Sequence, residues 1–546
     1  MKSNNPHQAG AADAFALPAN CSRRDFLKGG GAFLAMIGAV PVLSACGNVA
    51  GTEGGPGGGG SNDTLAIRTI QDIESLDPAF MTSSVGDAVM VCVAENLVTY
   101  RQGSTKLVNE LAEKLTSSTD GLSHSFTLKK GVQFHGGYGE VTAEDVKFSF
   151  ERIAGITKPD IHSTYSGDWA TLKEVEVTGK HTGVIKLTKP FAPLFHTTLP
   201  GNAGIVISKK AYEKLGKEFA TNPIGSGPFE FVNWKRGQHT LLRQFDKWSN
   251  PAKKWADKPQ WKTIKFVPIP DDHSADIAVE TGDVDFGEIP YSSVKRFNDN
   301  DKFTITTQAT LDYAFIGFNV TDPDLSDIRV RKAIRQALDV DSMLQAAFDG
   351  ETKRAYGLIS PDMPIGYWKD APHYKADRKA AKQQLQQAGK TGLHLEMGIR
   401  EGPGSEEIAQ VVQQNLADIG IKVSIKKYPG DQLHQQVKSL QMFYQSFSNQ
   451  ADPSWATVWF TSDQIGDWNF MSWSNKEFDK LHQAALVELD QKRRNQMYVK
   501  MQQLMDDDAI VDWVMYRTKH YAHSPDLDPS LITQRFAKYR AWTFTS

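Results

Sequence analysis

Cysteine is scarce: the 546 residues hold three, Cys21, Cys46 and Cys92. With no CxxC spacing among them, a disulfide framework and a cysteine zinc site are excluded, and the fold must stand on packing. An excess of either charge is missing as well, since 61 Lys and Arg face 64 Asp and Glu for a net charge of -3. That balance gives no whole-chain attraction to nucleic acid or acidic membrane surfaces, and no nucleic-acid partner is expected. Proline, at 25 residues, is too sparse for a collagenous or low-complexity chain. One hydrophobic run alone approaches membrane length, within Gly29 to Ala45. Catalytic signatures are missing too: Gly225-Ser226-Gly227 lacks the spacing of a nucleophile elbow and reads as a tight turn. His520 and His523 could share a metal at i, i+3 only on a helix, and are read as surface or packing residues. The expectation is no catalytic residue, no metal and no cofactor. What is present, 40% hydrophobic and 23% charged residues over this length, suffices for two or more folded domains.

The N-terminus carries an address. Ser22-Arg23-Arg24-Asp25-Phe26-Leu27-Lys28 precedes a Gly- and Ala-rich apolar stretch and resembles a twin-arginine export signal. Leu43-Ser44-Ala45-Cys46 closes that stretch and resembles a lipoprotein cleavage box, in which the Cys46 thiol would take the lipid. Simple signal cleavage with release is the alternative. Gly47 to Asn62 is mostly glycine, a flexible tether by composition. Residues 1–45 are thus expected to be the signal and 46–61 the lipidated cysteine and tether. Cys92, in Val89-Met90-Val91-Cys92-Val93-Ala94, reads as a small core residue.

The remainder mixes strands and helices. Leu393, Leu395, Met397 and Ile399 alternate as a strand; Ile408, Val411, Val412, Leu416 and Ile419 recur at helical spacing; Ile421, Val423 and Ile425 alternate again. Gly420 is placed to cap the helix, and the three pieces make a βαβ unit. Thr142 with Asp145 predicts a helix start before Val146, Ser474 with Glu477 another before Phe478, and Asp327 opens a third. The class is α/β.

Several landmarks fall in a telling order: Ser75-Leu76-Asp77-Pro78, Phe126 to Phe134 leading to Thr142-Ala143-Glu144-Asp145-Val146, Asn222 to Phe229, Phe318-Asn319, and Asp327 to Ile334. Together they resemble the extracellular solute-binding proteins of the oligopeptide, dipeptide and nickel ABC importers, over nearly all of residues 63–546. The resemblance implies a two-lobed periplasmic-binding-protein fold with an additional inserted domain and a ligand cleft between lobes. Mapped here, 62–82, 215–310 and 511–546 would form a discontinuous first lobe, 83–214 the inserted domain and 311–510 the second lobe. Strand Ala314 to Asn319 and the chain near Ala509 to Trp513 would be the hinge crossings.

Between Phe443 and Trp473 lie nine aromatics, including Trp455, Trp459 and Trp468, interleaved with Asn449, Asp452 and Asn469. Flat aromatic walls with a few polar groups suit an organic ligand, although core packing is the better account of Trp473 and Phe443. Peptide-binding members of the family commonly place an aspartate four residues before a proline here, paired with the peptide's amino terminus. Counting back from Pro453 gives Asn449, which cannot supply that charge. Asp452 is the nearby carboxylate that could. Thr82, Ser83 and Ser84, after Asp77-Pro78, match the stretch where family members touch ligand with backbone and small side chains, or else they stabilise a turn. Tyr165 is a candidate from the inserted domain.

The resemblance implies a receptor that captures a peptide or other amine-bearing solute by hinge closure and delivers it to a permease and ATPase complex. The protein would act as a monomer, exported by the twin-arginine machinery and held in the cell envelope by lipid alone. Alternatives are a receptor of the same family for a nickel chelate, opine or sugar, a signalling or chaperone-like receptor on the same fold, and an exported enzyme.

Overall fold

The computed structural model describes residues 63–101, 106–158, 160–248, 261–430, 432–436 and 439–529, with the backbone of 543–544. Arg23, Arg24, Cys46 and the tether lie outside the described residues. Among those described, no helix is long and apolar enough to cross a membrane.

An 11-stranded sheet organises most of the chain. In one half, strand Thr64–Thr69 pairs in parallel with Thr263–Pro268 and Phe286–Ile289. The hairpin Phe229–Lys235 and His239–Gln244 extends its edge. Leu65, Ile67, Leu242, Ile264 and Phe266 alternate inward there, each 1% exposed or less, as period-2 strands require. In the other half, strand His394–Arg400 lies between Lys422–Tyr428 and Met442–Phe447, parallel to both. Helix Ser405–Ala417 supplies the crossover between the first two, so the βαβ unit read from periodicity is present. Gly420, at φ 87°, turns the chain after this helix, a conformation that glycine adopts without strain.

Two long strands join the halves. Thr304–Phe318 and Val511–His523 pair antiparallel from Thr304↔His523 to Gly317↔Val511, with register breaks between Ala309 and Tyr313 and between Ala314 and Phe315. The first half attaches at the His523 end, through Phe286↔His523. The second attaches from Tyr313↔Phe447 to Phe318↔Met442. The junction therefore falls near residues 309–313, earlier than the expected Ala314 to Asn319, because Ala314 to Phe318 are already paired into the second half.

In the chain between the first strand and the hairpin Phe229–Lys235 and His239–Gln244, a separate four-stranded antiparallel sheet is formed by Ala112–Ser117, Ser123–Leu128, Thr182–Leu187 and Leu172–Gly179 in spatial order. Helix Ala143–Ile153 lies against its Leu172–Gly179 edge. Asp145 caps the helix start by accepting from the Thr142 backbone N–H at 2.9 Å and its hydroxyl at 2.7 Å. Near the other end, Arg152 makes a buried two-point pair with Asp77 (Nη1–Oδ1 2.9 Å, Nη2–Oδ2 2.6 Å), which explains the aspartate of the Ser75-Leu76-Asp77-Pro78 landmark. The later helix starts one residue beyond the expected cap: Asn475, not Ser474, accepts from the Glu477 and Phe478 N–H groups.

Candidate functional site

The site begins with a turn that is anchored from behind. Trp169, at the end of the one-turn helix Ser166–Trp169, is 2% exposed. It stacks on Phe150 at 4.6 Å and donates its indole N–H to the Ala203 carbonyl at 2.9 Å. With Trp169 so held, the preceding residue, Asp168, lines a cavity. The Thr198 hydroxyl fixes the Asp168 carbonyl at 3.2 Å. Tyr165 begins the same turn; its hydroxyl donates to the Met81 carbonyl and accepts from Asn202 Nδ2, both at 2.7 Å.

The cavity is a small, partly open recess of about 40 Å³. One wall comes from the inserted domain: Tyr100, Tyr165, Asp168, His196, Thr197 and Asn202, with Gly201 between them. The other comes from the loop after strand Met442–Phe447: Asn449, Gln450 and Ala451. Asn449 is held by its backbone, whose N–H donates to Asp312 Oδ1 at 3.0 Å. Its side-chain oxygen accepts from the Gln450 N–H at 2.9 Å, which fixes the amide orientation. Its Nδ2, on a residue 3% exposed, has no protein partner.

Among the described residues no lysine or arginine lines the cavity. Burial pushes the His196 imidazole below its ordinary value, which favours the neutral ring. The carboxyl of Asp168 keeps some surface on the cavity side, yet the atoms crowded around it push it up to about 7. Among the described residues no hydrogen bond or ion pair reaches it. A carboxylate so placed lacks the cation that ordinarily accompanies a buried charge.

Asp452 lies next to the cavity without lining it, and its charge and that of Arg494 act on His196. Asp452 is fully buried, caps helix Pro453–Thr457 through the Ser454 N–H at 3.0 Å, and pairs twice with Arg494 (Oδ2–Nη1 2.6 Å, Oδ1–Nη2 2.7 Å). Burial opposes its ionisation, but the Arg494 guanidinium outweighs this and holds the carboxyl below its usual value. Asp452 therefore has its cation within the protein and does not line this cavity, contrary to the expectation that it replaces the charge missing at position 449. Asn469, 0% exposed, donates Nδ2 to the carbonyls of Phe460, Thr461 and Trp473 and braces its own loop instead.

The three tryptophans form a half-buried chain: Trp455 meets Trp459 at 5.6 Å, and Trp459 meets Trp468 at 5.4 Å. Trp459 and Trp468 both border Phe447, two residues before Asn449, but none of the three lines the cavity. Ser83 caps helix Ser84–Val93 by accepting from the Gly86 N–H, and Thr82 donates to Glu74 at 3.1 Å. None of Thr82, Ser83 and Ser84 lines the cavity; the neighbouring Met81 carbonyl accepts from Tyr165, which does. His520 and His523 lie on a strand, where positions three apart face opposite sides, so the helical premise of a shared metal fails. Of the residues singled out from the sequence, Tyr165 and Asn449 line the cavity; Tyr100, Asp168, His196, Thr197, Asn202, Gln450 and Ala451 line it without having been singled out. The Gly167-Asp168-Trp169 step, an acid between a flexible residue and a large anchor, is the signal that could have found Asp168.

Two sheet halves joined by a pair of crossing strands, with a cavity walled by an inserted domain and one half, define a two-lobed periplasmic-binding-protein fold. HbpA2 from Haemophilus parasuis shares it, with a TM-score of 0.80 at 21% identity over 89% of this chain and 100% of that one. A DppA periplasmic binding protein from Helicobacter pylori, solved with the peptide STSA, gives a TM-score of 0.73 at 24% identity over 88% of this chain and 98% of its own. The chain belongs to the bacterial extracellular solute-binding proteins, family 5, whose model matches residues 106–477. Among its relatives is the dipeptide-binding protein of Escherichia coli K12, 26% identical over 478 residues, 82% of this chain and 88% of the relative.

Proposed function

We propose that this protein is the receptor of an ABC importer. It captures a peptide or other amine-bearing organic solute by closing its lobes and presents it to a permease and ATPase complex. The single observation that carries this reading is the cavity built jointly by the inserted domain and the Asn449 to Ala451 loop, because walls drawn from distant parts of the chain can hold opposite ends of one solute. The dipeptide-binding relative and the peptide-bound neighbour support an amine-bearing cargo. Arg23, Arg24 and Cys46 support twin-arginine export and a lipid anchor, with a monomer as the working form.

The second reading, a non-peptide solute such as an opine or chelate, is favoured by Asn449, which offers an amide where peptide binders of the family commonly carry a carboxylate. Thermal-shift screening of the full chain against free di- and tripeptides, opines and nickel–histidine chelates separates the two. A stabilising peptide series is expected. Stabilisation by one non-peptide alone would select the second reading, and turnover of a compound without stoichiometric retention would overturn both in favour of an exported enzyme.

A further inference from the structure

We infer that Asp168, on the inserted domain, is the counter-charge for a ligand ammonium group, and that Asn449 on the facing loop donates to an oxygen acceptor of the same ligand. The inference rests on the receptor reading and assigns the polarity of its cargo across the cleft. Four observations carry it. Asp168 lines the cavity, and among the described residues no cation meets its carboxylate. Among the described residues nothing else on either wall can neutralise it, since no lysine or arginine of theirs lines the cavity and burial disfavours the charged form of His196.

The third is the amide of Asn449. Its oxygen is taken by the Gln450 N–H, which leaves Nδ2, on a residue that lines the cavity, as a buried donor without a partner among the described residues. A buried donor without a partner is unfavourable unless a ligand acceptor meets it. The fourth is Asp452, the carboxylate nearest in sequence, whose charge is consumed by Arg494. The loop wall therefore gives hydrogen to the ligand, whereas the inserted-domain wall accepts it. A solute with an ammonium at one point and a carbonyl or carboxylate oxygen at another satisfies both walls at once. The ammonium then lies toward the inserted domain rather than toward the loop.

The test uses the exported full-length protein in wild-type, Asp168→Asn, Asp168→Glu and Asn449→Asp forms. Each is analysed by native mass spectrometry for retained solute and then titrated with Ala-Phe-Ala and its N-acetyl form. Asp168→Asn is close in shape to the original and removes no protein contact, so retained fold is checked by an unchanged circular dichroism spectrum. The expected result is a retained solute bearing a protonatable nitrogen, with occupancy lowered at least about tenfold in Asp168→Asn and partly restored in Asp168→Glu. Asn449→Asp should also lower occupancy, because it replaces a donor by an acceptor. The N-acetyl peptide should fail to stabilise any form.

Equal occupancy of wild type and Asp168→Asn would overturn the inference, as would a retained solute without a protonatable nitrogen; either leaves the receptor reading standing. A wild-type protein that retains nothing and is not stabilised by the free peptide would overturn the inference together with the amine-bearing cargo.

Discussion

Asp452 and Arg494 form a two-point ion pair, at 2.6 and 2.7 Å, in which the carboxylate is fully buried and the guanidinium residue is 3% exposed. The pair joins the loop that carries Asn449 to helix Gln491–Asp507, and the Tyr498 hydroxyl completes it by accepting from Arg494 Nη2 at 2.9 Å. Asp452→Asn leaves Arg494 charged and buried without its anion. Unfolding free energy, measured by urea denaturation, should fall by about 3–5 kcal/mol. A change below about 1 kcal/mol would mean that the pair is not closed in solution.

The Asp77–Arg152 pair should behave similarly but more locally. It ties the segment after the first strand to helix Ala143–Ile153, so Asp77→Asn should speed amide exchange in that helix more than in strand His394–Arg400. Uniform acceleration across both elements would contradict a local clamp.

Gly225 is fixed by close approach. A Cβ there would lie 2.2 Å from the Val93 carbonyl oxygen, and one on Gly227 would lie 2.4 Å from that of Cys92. Both obstacles are backbone atoms, which cannot rotate away. Gly225→Ala should destabilise the protein by about 1–3 kcal/mol in equilibrium unfolding, and an unchanged midpoint would show that the turn can shift.

The Asp168 carboxyl gives a pH signature. Its value is raised from 3.8 to about 7, so between those values the folded protein holds a proton that the unfolded chain has released. Stability of the ligand-free protein attributable to this group should therefore decline as pH rises from about 4 to about 7. Affinity for an ammonium ligand should change oppositely, increasing as the carboxyl ionises near 7. The other titratable groups on the cavity are His196, disfavoured in its charged form by burial, and the hydroxyls of Tyr100 and Tyr165. Comparing melting temperatures of wild type and Asp168→Asn across that range isolates the effect, since the wild-type decline should be missing from the variant. Parallel curves would contradict it.

Local elements were legible in the sequence because their determinants are local. The alternation in Leu395, Met397 and Ile399 and the helical spacing of Ile408, Val412 and Leu416 placed the βαβ unit, and Thr142 with Asp145 placed a helix start. The expected cap at Ser474 moved to Asn475 because adjacent Ser and Asn residues can both cap, and sequence offers no geometry to choose between them. The site was half legible. Asn449 was reachable from its spacing to Pro453, but the partner that removes Asp452 from consideration, Arg494, lies 42 residues further along the chain. Asp168 carries only the weak local signal of its place between Gly167 and Trp169. What sets it apart is that no cation among the described residues lies around it, a property of four segments brought together by folding.

The most direct test of the central claim, a solute-binding cleft between the inserted domain and the Asn449 loop, is the crystal structure of the exported protein with its retained solute. The account expects electron density for one organic molecule between Asp168 and Asn449, its ammonium nitrogen within hydrogen-bond distance of the Asp168 carboxylate. A solute lodged away from both residues, or bound with its ammonium on the Asn449 side, would contradict it.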